Sequence, residues 1–206
     1  DTIAANVDTA GVEVVQNYIS SKAFSNCGND NHYDIILIRH ILEHTYNSGN
    51  FLQSLKKLAH QNSYLVFEVP DCSLLFSSYD YTAIWEDHTL YFTPSTFKGF
   101  LKNAGFSIFD YHLYPYPYEN CLVIIASVDD EVGEIDVPDD LDASRQLMLN
   151  YGKNFVKNRE IIREKLQQIK ENYGDIAIFG AGHFSTMYVN VFGISDILNV
   201  SYRQNY

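Results

Sequence analysis

The stretch YDIILIRHILEH, residues 33–44, decides the fold. Its first part, 33–40, is a near-continuous apolar run, and such a run predicts a strand buried on both faces of a parallel sheet. Downstream, FLQSLKKLA (51–59) places apolar residues at 51, 52, 55, 58 and 59, the period of a helix. SYLVFEVPD (63–71) follows as a second buried strand, ended by Pro70. Strand, helix and strand in this order predict an α/β protein with a mostly parallel sheet.

Farther along, Thr93 before Pro94 has the pattern of an N-cap followed by proline at the first helical position. Phe97, Phe100, Leu101 and Ala104 mark one face of that helix, and Gly105 ends it. FSIFDYHLY (106–114) and CLVIIASV (121–128) read as two closing strands around the turn PYPYEN, with antiparallel pairing open to them. On the upstream side, residues 3–10 look like the end of a helix closed by Gly11, and VEVV (12–15) is a short β-branched run.

From 129 to 142 the chain reads DDEVGEIDVPDDLD, eight acids without a Lys or Arg, the pattern of a solvated linker. Residues 144–173 carry apolar side chains at helical spacing and predict one long amphipathic helix ending at Gly174. DIAIFGAGHFSTMYVNVFG (175–193) is then strand, glycine turn and helix. The expected organisation is one unit over 1–128, an acidic linker over 129–143, and a connecting helix with the first βαβ turn of a second Rossmann-like domain over 144–206. One such turn is too little to bury a parallel sheet, so the chain is expected to be a piece of a longer protein.

The 206 residues carry a formal charge of −12, which removes the basic footprint of a nucleic-acid binder and of a polybasic membrane surface. Apolar residues at 46% and charged residues at 19% give a globular balance, and no run approaches the length of a membrane span. Cys27, Cys72 and Cys121 form no CxxC pair, so reduced, buried thiols in a cytoplasmic protein are expected.

Three constellations carry chemistry. In RHILEHTYNSGNF (39–51), His40, Glu43 and His44 match the pattern H-x-x-E-H at a strand exit, where ligands of parallel sheets bind. The match falls outside a long helix and lacks a third ligand, so no metal is expected, and His44 is the better functional candidate. In IWEDHTLYFTP (84–94), Glu86 or Asp87 can orient His88, giving it one tautomer and a raised pKa for proton abstraction. Trp85, Tyr91 and Phe92 supply apolar walls there. In FGAGH (179–183), Gly180 and Gly182 let the backbone approach a phosphate at a helix N-terminus beside His183, or simply make a tight turn.

Taken together, YDIILIRHILEH, YLVFEVPD and WEDHTLYFTPSTFKGFLKNAGF resemble the second half of a class I S-adenosylmethionine-dependent methyltransferase domain. More narrowly, they are similar to sugar C-methyltransferases acting on nucleotide-linked deoxysugars, and IAIFGAGHFSTMYVNVFGI looks like the start of the C-terminal domain of those enzymes. The resemblance implies that a 4-keto sugar loses a proton at C3 and that the enolate takes a methyl group from sulfonium. The family's stretch Tyr-x-Glu-His falls on Trp85, Asp87 and His88, so the histidine alone is kept. The resemblance makes His88 the base, Asp87 its orienting carboxylate and His44 a stabiliser of the enolate oxygen.

Trp85, Glu86, Tyr91, Gly180, Gly182 and His183 become candidate substrate contacts, and Asn17, Tyr18, Arg39 and His40 the cofactor contacts at strand exits. The family's glycine-rich cofactor loop is expected upstream of Asp1. Three other readings stay open: methylation of oxygen or nitrogen in another small metabolite, an NAD-linked sugar oxidoreductase built on FGAGH, and a non-catalytic ligand-binding or assembly module. Neither the sugar nor the oligomeric state is legible.

Overall fold

The computed structural model describes residues 32–84, 87–116, 119–129, 137, 139–180 and 182–202. The readings over 3–15, and most of the acidic linker, lie outside the described residues. The chain runs through β1 (Tyr33–Arg39), a 3-10 turn (Leu42–His44), α1 (Ser48–Lys56), β2 (Ala59–Pro70) and α2 (Ser73–Ser78). A second 3-10 turn (Tyr81–Ala83), α3 (Pro94–Asn103), β3 (Phe106–Tyr114) and β4 (Cys121–Val128) follow. The last part is α4 (Leu141–Lys153), α5 (Phe155–Tyr173), β5 (Ile176–Phe179), α6 (His183–Phe192) and β6 (Leu198–Tyr202).

The larger sheet has the order β1-β2-β4-β3. β1 and β2 are parallel, with Ile38 opposite Phe67, whereas β4 runs antiparallel to both neighbours, with Ile124 opposite Phe67 and Tyr111. The returning hairpin therefore sets Cys121 against Pro70, and Asp71 N donates to the Asn120 carbonyl at 2.8 Å, at the carboxyl end of β2. A site at that edge can draw on three strands instead of two.

The main core lies on one face of this sheet. Leu65, Phe67, Leu122, Ile124 and Ala126 point to α1 and α3, which contribute Leu52, Leu55, Phe97 and Leu101. β1 departs from the expectation of two buried faces. Ile38 is buried, but its alternates Ile35 and Leu37 are each 64% exposed. Its apolar run reaches both sides of the pleat, while α1 and α3 cover the Ile38 side only.

Thr93 caps α3 by accepting from Thr96 N, and the reciprocal contact from Thr96 completes a capping box. Gly105 closes that helix at φ 77, where a Cβ would also run into Lys56 Nζ.

The predicted long helix is instead two helices. α4 stops and α5 starts at Asn154, whose side-chain amide donates to the Asn150 carbonyl at 2.8 Å. Such a local bond competes with the helical ladder, and Gly152 just before it weakens the turn further. β5 and β6 pair in parallel around α6, as a βαβ unit should.

α5 is tied to this unit by Arg163, which donates to both Asp196 carboxylate oxygens at 3.0 and 2.8 Å, and by Lys170 Nζ, 2.8 Å from the Ile197 carbonyl. A second core joins Cys72, Leu75, Phe76 and Tyr81 of the first unit to Tyr151, Phe192, Ile194 and Ile197. No helix among the described residues is long and apolar enough to cross a membrane.

Candidate functional site

The polypeptide turns sharply as β1 ends. His40 adopts φ 50, an uncommon conformation for a residue other than glycine, while its N–H still donates to the Glu68 carbonyl at 3.0 Å. The turn swings the imidazole between two carboxylates, with Nδ1 3.3 Å from Glu43 Oε1 and Nε2 3.3 Å from Glu68 Oε1. Arg39 reaches the same Glu68 through Nε and a terminal nitrogen. That hydrogen bond, more than any other cause, holds the Glu68 carboxyl below the usual range.

The 3-10 turn after β1 then carries Glu43 inward and His44 outward. Glu43 is buried at 1% exposure, and its Oε2 has no hydrogen-bond partner among the described residues. Burial raises its pKa, with His40 and His44 working in the opposite direction. The Glu43 carbonyl is the anchor for the loop before α3. It accepts from Thr89 N at 2.7 Å, from Leu90 N at 3.1 Å and from Thr89 Oγ1 at 3.1 Å. Thr89 Oγ1 is also 2.8 Å from the Thr45 carbonyl. Those bonds bring His88 to His44.

Their rings meet edge to face with centroids 4.5 Å apart, and Tyr91 lies 5.9 Å from the His88 ring. The Asp87 carboxylate is 3.3 Å from His44 Nδ1, with the Asp87 carbonyl at 3.2 Å from the same nitrogen. The sequence reading had a carboxylate raising the His88 pKa. In the structure it is lowered, because burial disfavours the imidazolium and His44 adds like charge, while Asp87 opposes them. The neutral form of His88 is what this environment favours.

His183, the first residue of α6, also acts electrostatically on His88, so the start of α6 comes to the same edge of the sheet. Gly180 sits there at φ 117, and a Cβ on it would lie 3.0 Å from Ser185 Oγ. Gly182 is the N-cap of α6. Nearby, a cavity of about 390 Å³ is lined by Asp71, Leu74, Asp80, Glu119 and Phe184 among others, so both units contribute to its wall. Burial raises the Glu119 carboxyl, against the pull of His40. Burial likewise pushes the Cys121 thiol up to about 11 and Cys72 up to about 12, which makes both poor nucleophiles.

Arg39, His40, His44, Asp87, His88, Tyr91, Gly180, Gly182 and His183 are thus found around one end of the structure. Asn17, Tyr18, Trp85, Glu86 and Cys27 lie outside the described residues. Two groups carry weight here that the sequence reading assigned no role. Glu43 stood between two histidines in plain view, but its burial was not legible. Glu119 reaches the edge only because β4 runs antiparallel beside β2, a fact of strand order. Among the described residues, two sets of side chains bring donor atoms within 4.8 Å of one another, Glu43 with His44 and His88, and His40 with Glu68 and Cys121.

A family model described as a methyltransferase domain matches residues 4–110, just over half of the chain. No curated protein matches it. Among solved structures, it is similar to magnesium protoporphyrin IX methyltransferase from Synechocystis PCC 6803 with bound SAH, at 15% identity and a TM-score of 0.37, covering 50% of this chain and 48% of that one. It is also similar to a mutant 16S rRNA (adenine(1408)-N(1))-methyltransferase from Catenulisporales acidiphilia, at 15% identity and a TM-score of 0.36, covering 50% and 54%. The chain spans about half the length of these structures.

Proposed function

The chain belongs to the methyltransferase domain family, and from that premise we propose that it methylates carbon in a nucleotide-linked keto-deoxysugar, with S-adenosylmethionine as methyl donor. The observation that carries this reading is the His44–His88 pair, edge to face at 4.5 Å, with burial lowering the His88 pKa and so favouring its neutral form. Carbon has no lone pair to offer, so its methylation needs a base, and a neutral imidazole is a competent one near physiological pH.

In this mechanism His88 takes the proton from C3 of the sugar. The electron pair released from the C–H bond moves toward the 4-keto carbonyl, and charge collects on its oxygen. For this step His44 carries a proton on each ring nitrogen: Nε2 donates to that oxygen, while Nδ1–H stays on Asp87, which holds the ring in place. S-adenosylmethionine, when bound, would supply an electrophilic methyl group for that carbon, with the electron pair of the broken S–CH3 bond left on sulfur. Arg39, at the open end of β1, has a guanidinium whose side chain is 63% exposed despite its pairing with Glu68. It fits the carboxylate of the donor's methionine part, and His40 lies beside it.

The carboxylates of Asp71, Asp80 and Glu119 suit hydroxyl groups of a sugar, which donate hydrogen bonds to them. A diphosphate would find its partners in the backbone N–H groups after Gly180, at the start of α6. Trp85 and Glu86 complete the proposed substrate contacts together with Tyr91 and His183.

Proton exchange tests the reading without the methyl step. In D2O, nucleotide-linked 4-keto-deoxysugars incubated with the protein should exchange hydrogen at C3, followed by NMR, and His88→Asn should abolish the exchange. If the variant keeps exchanging, or if it still transfers methyl groups to an oxygen or amine acceptor, the carbon reading fails.

A further inference from the structure

We propose that Glu43, His44 and His88 form a binding site for a divalent transition-metal ion of the zinc class, with two imidazoles and one carboxylate as ligands. Each offers a donor atom, and the three atoms lie within 4.8 Å of one another. First-row metals are held by this ligand set with coordination positions left open for water or substrate. The sequence showed His40, Glu43 and His44 as H-x-x-E-H without a further ligand, and the structure turns His40 toward Glu68. Folding supplies His88 in that place.

A second, independent observation points to a ligand. The Glu43 side chain is 2% exposed, and its Oε2 makes no hydrogen bond among the described residues. A buried carboxylate oxygen without a partner is costly, and a cation is the strongest partner available to it. The site is also built before any ion arrives. Three hydrogen bonds to the Glu43 carbonyl, from Thr89 N, Leu90 N and Thr89 Oγ1, clamp the two ligand-bearing segments together. Asp87, against Nδ1 of His44, is placed as the outer carboxylate that commonly orients a ligating imidazole.

The consequence for the chain is a choice between two states. An ion on His88 occupies the lone pair that proton abstraction needs, so the metal-loaded protein is the form without a base. Metal binding itself does not depend on the methyltransferase reading, and either can fail alone.

Chelator-treated protein titrated with Co2+ tests the site directly. Saturable visible d–d bands are expected, without thiolate-to-metal charge transfer. Glu43→Gln and His88→Asn should each weaken the binding by at least about tenfold, and Asp87→Asn by about tenfold. Asp87 is a largely exposed side chain, so its variant reports on binding even if Glu43→Gln folds poorly. Three results would each overturn the proposal. One is the absence of saturable bands. Another is unchanged affinity in Asp87→Asn together with His88→Asn. The third is charge-transfer bands that vanish in Cys121→Ser, which would put the ion on His40, Glu68 and Cys121.

Discussion

The imidazoles of His44 and His88 meet edge to face with their centroids 4.5 Å apart, and Asp87 grips the first of them while its charge is still felt by the second. The two rings come from a 3-10 turn after β1 and from the loop before α3, elements that meet through the Glu43 carbonyl. A division of labour follows. The ring with a carboxylate on Nδ1 is held in one orientation, and burial lowers the pKa of the half-buried ring beside it.

His44→Asn should therefore lower methyl transfer by about 10²- to 10³-fold, the usual loss for a donor to a developing oxyanion. Hydrogen exchange at C3 should slow with it, since the same charge develops there. The melting temperature should stay close to that of the parent protein, because the side chain is partly exposed. Unchanged turnover would remove His44 from the mechanism.

Glu119 makes a pH prediction. Burial raises its carboxyl above the ordinary range, so the folded chain holds that proton more tightly than the unfolded chain does. Its contribution to stability is greatest in acid and declines as pH rises from the ordinary carboxylate range through the raised folded value. Glu119→Gln removes the decline. The variant should unfold at a higher temperature than the parent at about pH 7, and the gap should close below about pH 4. Calorimetry across that window decides it.

Phe67 is fully buried at the centre of the larger sheet, in edge-to-face contact with Phe106 at 5.4 Å. Phe67→Ala should cost about 3–5 kcal/mol, read as a lower urea midpoint with little change in slope. Phe109→Ala, on β3 at 71% exposure, should cost far less.

Tyr81 tests whether the two units unfold together. Its hydroxyl donates to the Tyr151 carbonyl at 2.8 Å, and the Tyr151 hydroxyl returns a bond to the Asp80 carbonyl at 3.1 Å. Tyr81→Phe should lower stability by about 1 kcal/mol while keeping a single transition. Fluorescence and far-ultraviolet dichroism that separate into two transitions already in the parent protein would show that the shared core does not couple them.

Much of the architecture could be read from local patterns. The helix read over 51–59, the cap at Thr93 and Pro94, the stop at Gly105 and the βαβ unit around FGAGH each depend on neighbours a few residues away, and their existence was legible. The structure shifts the first of these to Ser48–Lys56, because β2 already begins at Ala59. Asn154 was missed because apolar spacing continues through it, whereas its amide bonds locally to Asn150 and splits the helix. The exposed side of β1 was missed for a different reason, since an apolar run does not say which helices will cover which face.

The candidate site divides in the same way. By itself the sequence singled out His44, Asp87, His88 and the FGAGH turn, because those residue types stand at strand exits and loop ends where chemistry is usually placed. Only the tertiary structure could seat Asp87 on His44, lower the His88 pKa, bury Glu43 and return Glu119 to the edge of the sheet. Pairing, burial and shared charge are properties of groups brought close through space, and residues far apart along a chain acquire them only when strand order and loop anchoring decide which ones meet.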